Sequence, residues 1–142
     1  MPVNKRSWIG LIIGAFIFIS SCTSTSTPKS AVVIPNNIQE ITNPLAENLV
    51  TALDKQDYEA FQKDMDDVMQ KAMTEQAFTE IRRLFWGQYG NYQSLAFAKA
   101  LDQKGYLGVF YSLTFEKGKV TMNIVLTPNA PYKISGLWFP TE

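Results

Sequence analysis

Catalysis needs side chains that attack, transfer protons or hold metals, and this chain of 142 residues holds few of them. It has no histidine and a single cysteine, Cys22. Ser-His-Asp and Cys-His arrangements are therefore excluded, and so is histidine ligation of a metal. No glycine-rich loop has the spacing of a phosphate cradle. Carboxylates remain. Asp64, Asp66 and Asp67 crowd together but lack the twelve-residue loop and turn glycine of a calcium hand, so they read as a solvated helix face. Asp102 and Glu116 fall in turns, outside any cavity where a general base would have to sit. The aromatic residues Phe85, Trp86, Tyr89, Phe110, Tyr111 and Trp138 could line an apolar pocket, with phenol and indole groups as polar handles. Packing of the core accounts for the same six residues.

The single thiol has a context. Lys5 and Arg6 precede an uninterrupted apolar run from Trp8 to Ile19. That run is short for a hydrocarbon core of ~30 Å, which takes about 20 helical residues, but has the length of a signal-peptide core. Ile19-Ser20-Ser21-Cys22 follows, and it resembles the lipobox of bacterial lipoproteins. The resemblance implies a leader over 1–21, cleavage before Cys22, and acylation of its sulfur and amine. It implies an exported protein, lipid-anchored to the cell membrane or outer membrane, with its domain on the extracytoplasmic side. Several acyl chains, at ~0.8 kcal/mol per buried CH₂, hold a bilayer far better than one. An unpaired thiol in an exported chain fits, since it cannot close an internal disulfide. An N-terminal helical anchor with an incidental cysteine is the plainer alternative.

Lys plus Arg and Asp plus Glu number 13 each. Removing the leader takes away Lys5 and Arg6 and no acidic residue, for a formal balance of −2. A nucleic-acid binder needs a concentrated basic footprint, so that class is set aside. Residues 23–30, TSTSTPKS, are too polar to offset their ordering entropy, and 22–42 reads as a flexible tether to a domain over 43–142. Within the tether, Ala31 to Pro35 reads as a short extended piece against the domain edge.

Asn43-Pro44 has the form of a helix start, followed by an apolar stripe of Leu45, Leu49, Ala52 and Leu53. Asp57 opens a second helical segment with Tyr58, Phe61 and Met65 on its inner side, continued or briefly broken at Asp66-Asp67. Thr74 caps a third, with Ala77, Phe78, Ile81, Leu84 and Phe85 inward and Gly87 or Gly90 ending it. Strands follow. Tyr92 to Leu101 alternates Leu95, Phe97, Lys99 and Leu101 against alanines, with Lys99 snorkelling at an edge. Tyr106 to Phe115 is apolar on both faces and reads as central. Val120 to Thr127 has one wet face, and Tyr132 to Phe139 closes the sheet with Leu137 and Phe139 opposite Tyr132, Ile134 and Trp138. Short turns leave a meander as the topology. The fold class is α+β, with N-terminal helices packed on a four-stranded antiparallel β-meander.

The words DYEAF (57–61), YGNYQS (89–94), FEKGKVTMNIVL (115–126) and KISGLWF (133–139) resemble a bacterial family. It is the domain of unknown function family 3887, in the nuclear transport factor 2-like (cystatin-like) superfamily. The likeness covers about residues 44 to 140. It implies a curved sheet around a helix, forming a cone whose cavity members use for binding, for catalysis or as packed core. It also implies frequent dimers through the outer sheet face, and the apolar residues left on that face point to a homodimer. The expected function is a non-enzymatic binding or protein-interaction module at the cell envelope. No cofactor or metal is expected; the expected partners are the bilayer through Cys22, an apolar small molecule in the pocket and a second copy. The alternative is an enzyme or enzyme-accessory domain using carboxylates and tyrosines in the cone.

Overall fold

The computed structural model describes residues 31–140. The leader, Cys22 and the polar part of the tether lie outside the described residues. The elements run α1 (Ile38–Lys55), α2 (Tyr58–Gln62), α3 (Asp67–Ala72), α4 (Glu75–Tyr89), β1 (Tyr92–Asp102), β2 (Leu107–Phe115), β3 (Gly118–Leu126) and β4 (Ile134–Trp138). The strands form one antiparallel sheet in the order β1-β2-β3-β4. The chain is α+β, with four helices and an open four-stranded meander.

The first helix begins before the expected Asn43-Pro44 start. Ile38 to Thr42, read from sequence as tether, form its first turns, and Pro44 lies inside the helix. An interior proline loses a hydrogen bond and crowds the preceding turn, at about 3 kcal/mol. Tertiary contacts override that cost. Ile38 is buried, and the Tyr111 hydroxyl on β2 meets Thr42 Oγ1 at 2.7 Å and donates to Asn43 Oδ1 at 3.0 Å. The stretch before the proline is thus pinned to the sheet.

Side chains cap the later helices. Asp57, Asp66 and Thr74 accept from the backbone N–H of Ala60, Met69 and Ala77 at 2.9, 2.7 and 3.2 Å, each cap being worth about 1 kcal/mol. The second helical segment breaks at Met65. There the Asp66 N–H donates to the Ile134 carbonyl and the Ile134 N–H to the Asp64 carbonyl, both at 2.9 Å. Residues 64–66 therefore pair briefly with β4 before α3 begins. Helix α4 ends at Gly90, whose φ of 81° suits glycine. Ala77, Phe78, Ile81 and Phe85 pack inward as expected. Leu84 does not. It is 49% exposed, and the inner face continues through Trp86 and Tyr89 instead.

Leu107, Val109, Tyr111, Leu113 and Phe115 of β2 and Val120, Met122, Ile124 and Leu126 of β3 are buried. They pack with Leu49, Val50 and Leu53 of α1 and Phe61 of α2 in one core. Three register shifts depart from strict alternation, one of them between Tyr92 and Ser94 at the start of β1. Phe97 pairs with Tyr111 but Lys99 pairs with Phe110, so Ala98 is an extra residue. Leu95 and Phe97 face the helices, while Lys99 and Leu101 face outward, contrary to the single face expected for all four. In β4, Leu126 pairs with Ile134 and Val125 with Gly136, so Ser135 is the extra residue. Ile134 and Leu137 then both face the helices and Trp138 faces out, correcting the expected split. A bulge of one residue exchanges the faces of everything beyond it.

Candidate binding surface

The structure takes the six aromatic candidates to three places. Phe85, Trp86 and Tyr89 close the C-terminal end of α4 over the core: Phe85 lies 4.6 Å from Phe139, and Trp86 and Tyr89 lie 5.0 and 6.1 Å from Phe115, between ring centroids. Trp86 also donates to the Asp54 carboxylate at 2.7 Å. Beside Phe85 and Tyr89 runs a groove of about 600 Å³, bounded by Lys119, Thr121 and Phe139. Tyr111 is fully buried under α1. Phe110 and Trp138 lie on the other side of the sheet. The six do not line one pocket.

The interior offers little chemistry. Among the described residues the buried polar side chains are Thr42 and Asn123. Tyr111 is held by Thr42 and Asn43, and burial pushes its phenol above its ordinary value, as it does for Tyr92. Four of the candidate carboxylates have structural partners. Asp64 accepts from Asn48 Nδ2 at 3.1 Å, Asp66 caps α3, and Asp102 accepts from the N–H of Val32 and Gly105 at 2.9 and 2.6 Å. Glu116 accepts from the backbone N–H and the side chain of Asn91, and these bonds hold its carboxyl below the usual range.

The outer sheet face is divided. Toward the β2–β3 hairpin it carries Ser94, Ala96, Ser112, Thr114, Lys119 and Thr121, all small or polar by register. Toward the other end, Lys99, Phe110, Asn123 and Trp138 form one row across the strands, and Leu101, Gly108, Val125 and Gly136 the next. The Lys99 ammonium sits 4.9 Å from the Phe110 ring centre, a cation–π contact rather than an interruption of the core. Gln103 lies across Gly108 and Trp138 across Gly136, each where a Cβ on the glycine would have to go.

Between them is a hollow of about 310 Å³ bounded by Gln103, Tyr106, Asn123, Val125 and Trp138. A second of about 300 Å³ shares Tyr106, Val125 and Trp138 and extends to Asp66, Val68, Thr127 and Ser135. Trp138 is 54% and Tyr106 41% exposed. Asn123 is only 7% exposed; its Nδ2 donates to Gln103 Oε1 at 3.4 Å, and its Oδ1 has no partner. Turning both amides over exchanges donor and acceptor but still leaves one end of Asn123 unpaired. Such buried orphans are uncommon. The first hollow is lined by neutral groups alone, so it suits uncharged, partly polar matter.

Sequence reading singled out Phe110 and Trp138 but missed Gln103, Tyr106 and Asn123 as their neighbours. The signal was available in part: Asn123 is the amide in the run from Val120 to Leu126, otherwise built of Val, Thr, Met, Ile and Leu. Its opposition to Trp138 depends on the Ser135 bulge.

The family model described as Protein of unknown function (DUF3887) matches residues 46–137. No curated protein and no solved structure matches the chain.

Proposed function

The chain belongs to that family, and from this premise we propose that it is a lipid-anchored binding module of the cell envelope, without catalysis of its own. It is exported, held to the bilayer through Cys22, and built on the helix-and-sheet cone of the nuclear transport factor 2-like superfamily. The observation that carries the binding role is the outer face. There, exposed Trp138 and Tyr106 frame a neutral hollow over an orphaned amide. Contiguous exposed apolar surface of this kind marks interaction sites. The non-catalytic reading is supported by the commitment of Tyr111 to neutral partners and of Asp64, Asp66, Asp102 and Glu116 to caps and turns. The anchor is supported by the run from Lys5 to Cys22.

A palmitate analogue fed to cells tests the anchor: the wild type takes up label and Cys22→Ala does not. Equal labelling of both contradicts it. A homodimer through the sheet is the second reading, favoured by Phe110 and Trp138. The Ser/Thr half of the face confines its apolar contact, whereas stable interfaces bury about 1,200–2,000 Å².

A further inference from the structure

We propose that the hollow between Gln103 and Trp138 binds a neutral sugar ring, one unit of an uncharged glycan. This rests on the reading of the outer face as the binding surface and names its ligand. The two glycines make the site. Val125 pairs with Gly108 on one side and Gly136 on the other, so Gln103 and Trp138, folded across those glycines, flank it. The result is an aromatic platform beside two amides, with Tyr106 at the rim.

A pyranose ring matches each part. Its C–H face packs on an indole, and its hydroxyls both donate and accept, so one can serve whichever end of the Asn123 amide lacks a partner. Reaching that end requires Gln103 to swing aside, with the Trp138 platform left in place; the Gln103 amide meets Asn123 across a long 3.4 Å bond. A purely apolar ligand, the kind expected from sequence, leaves the amide unpaired. A charged one finds no counter-charge in the hollow. An added peptide strand finds no edge in the floor of the hollow, because β3 is paired on both sides over 123–126. A volume of about 310 Å³ is at the small end for a ligand site and suits one ring. The adjoining hollow, sharing Trp138 and Tyr106, takes the next unit of the chain.

The test is calorimetric titration of the full-length chain in detergent micelles with a soluble trimer of N-acetylglucosamine. Saturable binding is expected, weakened tenfold or more by Trp138→Ala and by Asn123→Leu and unchanged by Trp86→Phe. The leucine variant keeps the volume of the orphaned amide, so the fold persists if Trp138→Ala proves unstable. No saturable binding up to about 10 mM, or binding indifferent to both substitutions, overturns the proposal. Sedimentation of the same samples separates two failures. A dimer lost in Trp138→Ala, without sugar binding, overturns the glycan and keeps the outer face as an interface. A monomer that binds no sugar overturns both.

Discussion

Trp138 occupies the space above Gly136 that any other residue would fill with its own Cβ. The atoms that would clash belong to the far end of the indole, so a methyl group there moves the ring rather than the strand. Gly136→Ala is expected to leave the melting temperature within about 4 °C of wild type, a change of no more than about 1 kcal/mol. It should also shift tryptophan emission toward longer wavelength as the ring leaves the sheet. An unchanged emission spectrum would show that the ring does not lie there.

Tyr111 joins the sheet to α1 by its hydroxyl, with Thr42 Oγ1 at 2.7 Å and Asn43 Oδ1 at 3.0 Å. Tyr111→Phe takes its donor from Asn43 Oδ1, while Thr42 keeps its bond to the Ile38 carbonyl at 2.9 Å, at about 1–3 kcal/mol. The loss should concentrate in the turns before Pro44. Hydrogen exchange of residues 38–43 should rise more than that of the α1 stretch after Leu49; a uniform rise would contradict the pinning role.

Alkaline titration follows from the same burial. Tyr111 and Tyr92 are raised above the ordinary phenol value of 10.0, so the folded state favours the neutral form. Their contribution is complete below pH 10.0 and is lost as pH rises through the folded values. Denaturation midpoints measured from about pH 8 to 11 should fall, and fall less steeply in Tyr111→Phe.

The joint between α4 and β1 gives an acid counterpart. Glu116 is held below its ordinary value of 4.5 by Asn91, so its contribution is present above that value and lost as pH falls through the folded one. Glu116→Gln should flatten the acid limb of the stability profile. Gly90 beside it has φ 81°, and a Cβ there would lie 2.5 Å from Glu116 Oε2. Its ψ of −151° puts Gly90 in a region that essentially only glycine adopts, so Gly90→Ala should destabilise by at least about 1–3 kcal/mol, read from chemical denaturation.

Much of this fold was legible in sequence. Thr74 announced its cap, Asp57 the start of its helix, and the apolar run from Tyr106 to Phe115 the central place of β2. What escaped was set by tertiary contact. Asn43-Pro44 has the local form of a helix start, but Tyr111, far along the chain, draws the turn before it into α1. Periodicity placed Lys99 on one face with Phe97, and Ile134 on one face with Trp138, because a bulge adds a residue without altering composition. Those shifts at Ala98 and Ser135 place Lys99 over Phe110 and Trp138 beside Asn123. The binding surface was hidden for that reason: its members were visible singly, and their adjacency is a matter of register.

Nuclear magnetic resonance of the full-length chain in micelles tests the central claim, that the outer face is where this protein binds, most directly. On addition of the N-acetylglucosamine trimer, the Trp138 indole and Asn123 amide signals should move together and saturate at one affinity. The Trp86 indole, bonded to Asp54 at 2.7 Å, should stay in place. Movement of Trp86 with Trp138 and Asn123 unchanged would put the site beside Trp86 on α4 and contradict the account.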